Sequence, residues 1–226
     1  MTQQVRSYTV EGMNYYVPGM QAGADLGQTL SQRLSLGTPI VADADGILND
    51  QSIATAGSTS TFLATYSVAN MSLYGRCLSV VASGAATSNV TVIGRDYLGQ
   101  PMRESFTLNG TTPVVGLKAF KYVDLVTFGA TAATTIDLGW NDKLGLPYKT
   151  VAVEREYAAG VVAAAGTLVT PVLTDPQTAT TGDPRGTYDP TTTLNGSTLI
   201  EADVQYNNSV NAAGNGGLHG IKHFNV

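Results

Sequence analysis

From residue 59 onward the chain is a series of short runs rich in Val, Thr, Ile and Leu, each closed by Gly, Asn, Asp or Ser, and no amphipathic helix interrupts them. β-Branched side chains fit a pleated surface, whereas Gly, Asn and Asp adopt the backbone conformations of tight turns. A chain punctuated in this way buries its apolar surface by packing or curling antiparallel sheets. The expected fold is therefore all-β, an antiparallel β-sandwich or barrel-like domain. Strand-like runs fall at 62–68, 77–82, 119–128, 135–138 and 150–156, with a hairpin of 90–94 and 104–108 about a turn at 96–100. The cleanest alternation is near the end, where Ile200, Ala202, Val204 and Tyr206 are interleaved with Glu201, Asp203 and Gln205. Such a strand has one dry and one wet face.

The first 58 residues read differently, being rich in Gly, Gln and Asp without sustained alternation. One short helix is predicted over 25–34, where Leu26, Leu30 and Leu34 fall at helical spacing. A structureless stretch of this length is unusual inside a compact domain and suits an arm that becomes ordered on a partner's surface. The expected organisation is thus a long extended N-terminal arm over 1–58 and a β-domain over 59–226. That domain carries a long surface loop near 174–195, rich in Thr, Pro, Gly and Asp, and a flexible Asn- and Gly-rich C-terminal tail.

Charge is scarce: 13% of residues are Asp, Glu, Lys or Arg, against about a quarter in ordinary soluble proteins. A surface so depleted of charge resembles the core of an interface and favours cover by neighbouring molecules. The net charge of −5 and twelve scattered Lys and Arg residues argue against nucleic acid as a partner. Cys77 is the sole cysteine, which rules out a disulfide within the chain and reads as a small buried hydrophobe. The N-terminus has no apolar signal segment, and the most apolar stretch, 158–169, falls short of the roughly twenty residues of a membrane helix. These features predict a protein made in the cytoplasm without a membrane partner.

Motifs that would carry chemistry are weak. His219 and His223 have zinc-like spacing, but they sit beside Gly216, Gly217 and Gly220 with no third ligand in view. Asp43, Asp45 and Gly46 resemble the start of a calcium loop that no bidentate Glu completes, and Asp-Gly is also a plain turn signal. Glu154 with Glu156, and Asp183 with Asp189, are carboxylate pairs of the kind glycoside hydrolysis uses. The first pair is expected on one solvated strand face. For a sugar platform the candidates are Tyr157, Tyr188 and Trp140, the last placed in a turn over 139–142. No nucleophile elbow, phosphate loop or dinucleotide fingerprint occurs. The expectation is a protein without catalytic, cofactor or metal residues.

Two stretches resemble segments of tailed-phage virion structural proteins of the head-decoration (cement) type. The first runs from Val90-Thr91-Val92-Ile93-Gly94-Arg95-Asp96 through Gly99-Gln100-Pro101, 104–112 and Lys118-Ala119-Phe120-Lys121-Tyr122-Val123 to Lys143-Leu144-Gly145-Leu146-Pro147-Tyr148. The second is Thr181-Gly182-Asp183-Pro184-Arg185-Gly186-Thr187-Tyr188-Asp189-Pro190 with Leu194-Asn195-Gly196. The resemblance spans about 88–206 and implies a homotrimer on the capsid exterior, bound to the major capsid protein. It fits a neck or tail subunit (collar or tube) less well, and a carbohydrate- or receptor-binding β-sandwich remains a third reading. The candidate interface residues are Tyr8, Tyr15, Tyr16 and Leu34 on the arm, since large aromatic and apolar residues dominate interfaces. Arg185 joins them, expected to pair with Asp183 or Asp189 or to reach a neighbouring subunit.

Overall fold

The computed structural model describes residues 7–10, 13–16, 29–172 and 174–207. Its strands in chain order begin with β1 (Ser7–Val10), β2 (Met13–Tyr16), β3 (Thr29–Gly37), β4 (Asp43–Ser52) and β5 (Gly57–Thr59). After a 3-10 turn at Val68–Met71 come β6 (Arg76–Ala82), β7 (Asn89–Arg95), β8 (Pro101–Thr107), β9 (Val114–Phe120) and β10 (Tyr122–Phe128). The remainder are β11 (Thr135–Gly145), β12 (Thr150–Ala158), β13 (Val161–Ala163), β14 (Thr167–Val169), β15 (Thr187–Asp189) and β16 (Ile200–Asn207). The fold is all-β, and every strand pairing among the described residues is antiparallel.

Besides the β1–β2 hairpin, the described residues form three sheets. One has the order β5-β10-β7-β8, the second β14-β15-β11-β6-β9 with β4 also along β11, and the third β13-β12-β16-β3. The first two face each other across the larger core, where Val90, Val92, Phe106 and Val126 meet Ile47, Leu78, Val80, Ile136 and Leu138. A second core lies under the third sheet, where Leu34, Leu36, Ile200, Ala202 and Val204 meet Leu144, Leu146 and Tyr188. β11 joins the two, because its first half pairs with β4 and its end pairs with β15. Alternation accounts for the sidedness: in β16 the even-numbered Ile200, Ala202 and Val204 are buried and the odd-numbered residues between them are not.

Several sequence expectations are corrected. The arm is not structureless over its whole length, since 29–59 supplies β3, β4 and β5 to the sheets. The helix predicted over 25–34 is strand from Thr29 onward. A spacing of four satisfies a two-residue period as well as a helical one, and the buried Leu36 extends the two-residue series from Leu34. Residues 62–68 form turns, with Phe62 and Tyr66 in edge-to-face contact at 5.7 Å and packed against the core. The run 119–128 is two strands broken at Lys121, whose amide N–H donates to Arg95 O, and there the chain passes from one sheet to the other.

Trp140 lies within β11, not in a turn. Gly139 before it is a close-approach glycine: a Cβ there would sit 1.8 Å from the Asp43 carbonyl oxygen of β4. The Trp140 ring lies over Gly46, and its indole N–H donates to Val41 O at 3.1 Å. In the hairpin, Phe106 is opposite Val90 and Glu104 is opposite Val92.

Candidate functional site

The feature that stands out chemically is a buried network of charged groups beneath the loop between β14 and β15. It starts at the β7–β8 turn, where Asp96 Oδ1 accepts the amides of Leu98 (2.9 Å) and Gln100 (2.8 Å). This is the local carboxylate-to-backbone bonding that makes Asp a turn former. Its second oxygen accepts from Arg185 Nη2 at 2.7 Å, and both side chains are nearly solvent-free. The guanidinium carbon lies 5.0 Å from the Tyr97 ring centroid. Asp183 accepts the amide of Arg185 on one oxygen (2.8 Å) and that of Ala119 on the other (3.0 Å).

Alongside lie Glu104 and Lys118, both buried. Glu104 Oε1 accepts the Leu117 amide at 2.5 Å, so a β8 carboxylate closes onto the backbone of β9 at the border of two sheets. Lys118 Nζ donates to three carbonyls: Arg103 O (2.6 Å), Pro176 O (2.8 Å) and Thr178 O (2.6 Å). The same loop covers the edge of β8, with Arg103 N donating to Pro176 O (3.0 Å) and Ser105 N to Ala179 O (2.8 Å). All three protons of the ammonium are used, two of them on the loop.

Burial sets the electrostatics. It pushes the Glu104 carboxyl up to about 7, opposed by the Leu117 amide and the Lys118 charge. It draws the Lys118 ammonium down to about 8, opposed by Glu104 and Asp183. Asp183 is raised by burial, with Arg185 working against the rise. Burial, reinforced by Glu104 and Asp183, also lifts the Cys77 thiol well above its usual range, which suppresses the reactive thiolate. The carboxylates in this network are occupied by amides or a guanidinium and the ammonium by carbonyls. Such an arrangement holds a loop in place.

A second buried carboxylate, Glu156, accepts from Tyr188 Oη (2.6 Å), Thr191 N (3.0 Å) and Thr192 N (2.8 Å). Burial raises its pKa, but the hydrogen bonds from Thr192, Tyr188 and Thr191 outweigh it and leave the group below the ordinary value. Glu154 and Glu156 do not share a solvated face as expected: a bulge between Val153 and Arg155 leaves Glu154 exposed and turns Glu156 inward. Replacement of Glu156 by Gln is expected to cost about 1–2 kcal/mol, because an amide cannot accept all three bonds as well as a carboxylate does. Urea unfolding at neutral pH measures this.

Trp140, Tyr157 and Tyr188 are all buried, so they form no exposed sugar platform. The segment 43–50 lies within β4, not a turn, and the Asp43 carboxyl is raised chiefly by its hydrogen bond to Asp45 and next by burial. Among the described residues no three His, Cys, Asp or Glu side chains are grouped to hold a metal ion. His219 and His223 lie outside the described residues. Tyr8 and Tyr15 are opposite each other across the β1–β2 ladder, and Tyr16 is opposite Ser7. Leu34 is packed in the second core, and Arg185 is buried against Asp96 instead of pairing by side chain with Asp183 or Asp189. The sequence reading missed Asp96, Glu104 and Lys118. The last two carried a signal: each takes a buried position among apolar residues on an alternating strand, Glu104 between Met102 and Phe106, Lys118 before Phe120.

No protein-family model matches the chain, and neither a curated protein nor a solved structure matches it.

Proposed function

We propose that this chain is a non-enzymatic structural subunit of a tailed-phage particle, a decoration (cement) protein that binds the assembled head. The observation that carries this reading is the use made of the buried ionisable groups: Lys118, Asp96, Asp183 and Arg185 are committed to locking one long loop onto the sheets, and Glu104 ties the β8 edge to the β9 edge beneath it. A fold that commits these groups to rigidity suits a load-bearing subunit, and the low charge content suits a surface covered by neighbours. The stretches resembling virion structural proteins, within 88–206, include all five of these residues. A subunit that binds assembled shell but not free coat protein stabilises the shell by mass action. On this reading the partners are the major capsid protein and other copies of the chain, on the capsid exterior, with the tyrosines of β1 and β2 at the contact.

The test is co-sedimentation of the purified chain with assembled heads and with unassembled coat protein, followed by heat challenge of the heads. Binding to heads alone, with a higher disruption temperature, supports the decoration role. Density confined to the neck or tail in particle images replaces it with a collar or tube role. Absence from particles removes both.

A further inference from the structure

The sheet edges of this protein are not treated alike. The amides of Arg103 and Ser105 on β8 are taken by loop carbonyls, and those of Leu117 and Ala119 on β9 by carboxylates. β13 is different: its ladder partner is β12 alone, and it ends its sheet among the described residues. Val161 and Val162 on it are 69% and 61% exposed, so aliphatic side chains stand bare on both faces of the strand. The hairpin turn is tight, with Ala159 at φ 50° and Gly160 at φ 79°. Two left-handed residues in succession suit the twist of a two-residue hairpin. The amide of Ala159 also donates to Leu199 O at 2.8 Å, which fixes the base of the hairpin.

Exposed edges are ordinarily guarded by Lys, Pro, a bulge or a covering loop. Among the described residues β13 has none of these, and no Asp, Glu, Lys or Arg occurs anywhere from 157 to 174. We infer that this edge is an interface between copies of the chain, with β13 pairing antiparallel to β13 of a second copy about a two-fold axis near Val162. Charge decides the occupant. A neutral strand meets its own image without like-charge opposition, and the register sets Val162 against Val162 and Val161 against Ala163, which are favourable aliphatic pairs. A charged peptide would find no complementary group here. The contact is isologous and therefore closed, so it ends at a pair and does not propagate. A three-residue strand buries little area, and the association is weak and concentration-dependent. It belongs to the isolated chain and stands or falls separately from the virion reading.

The experiment is sedimentation equilibrium of the purified chain from low micromolar to several hundred micromolar. The average mass is expected to rise with concentration above the monomer value of 23.5 kDa. Val162→Lys places two ammonium groups opposite each other and weakens association by about tenfold or more. Val162→Thr, β-branched and neutral, retains it. Val41→Lys, at a site 60% exposed outside this sheet, also retains it. The near-ultraviolet circular dichroism of Trp140 reports that each variant is folded. A wild-type chain that stays monomeric, an association unchanged in Val162→Lys, or equal loss in Val41→Lys overturns the inference.

Discussion

Replacement of Lys118 by Ala lowers the stability of the folded chain by about 3–5 kcal/mol. The ammonium is fully buried and holds Arg103 O of β8, across the border between the two sheets, and Pro176 O and Thr178 O from the loop. Its removal leaves the Glu104 carboxylate without the nearest cationic charge that opposes its burial. It also opens a void where the four-carbon stem was packed. The loss is local before it is global. Hydrogen exchange at the amides of Arg103 and Ser105, which bond the loop carbonyls, should accelerate more than at β6 or β11. Lys118→Met restores the packing of the stem without the donors, so its stability relative to Lys118→Ala isolates the contribution of the ammonium. A loss below about 1 kcal/mol in Lys118→Ala, with exchange at Arg103 and Ser105 unchanged, would show that the loop is held by its backbone bonds alone.

What the sequence revealed and what it hid divide along physical lines. β16 was legible because both its faces are in their ordinary environments, one in a core and one at the surface. The β7–β8 hairpin was legible because its turn is made locally, by Asp96 bonding to amides two and four residues on. Trp140 was misplaced because Gly139 looks the same in sequence whether it turns a chain or admits a neighbouring backbone. β3 was misread because leucines four apart satisfy both periods, and β4 because its Asp-Gly pair imitates a turn. The charge network was out of reach as a network: the Arg185–Asp96 pair joins residues 89 apart, and Lys118 meets carbonyls 58 and 60 residues on. The individual anomalies, an acid and a lysine on the apolar faces of strands, were on view. Only the fold shows that the lysine answers to the loop and the acid to the neighbouring sheet edge.

Those anomalies also give the protein an unusual response to pH. Glu104 has its folded-state pKa raised from 4.5 to about 7, chiefly by burial. The folded state therefore holds this proton more tightly than the unfolded chain. The corresponding stability is full below pH 4.5 and is lost as pH rises through about 7. The shift corresponds to about 3 kcal/mol. Asp183, also raised by burial, acts with the same sign. Glu156 and Asp203 are both lowered, so their contributions change only at more acidic pH and leave this window free. Lys118, lowered to about 8, has the opposite effect: its burdened charge is relieved as pH rises through about 8. Stability in urea is thus expected to fall from pH 5 to a minimum between 7 and 8, where most proteins are near their best. Glu104→Gln retains an acceptor for the Leu117 amide but cannot ionise, and it should flatten the fall. The histidines, His219 and His223, are common to both proteins and cancel in the difference. Parallel pH profiles for wild type and Glu104→Gln would mean that the Glu104 carboxyl ionises at an ordinary pH, with its amide bonds outweighing its burial.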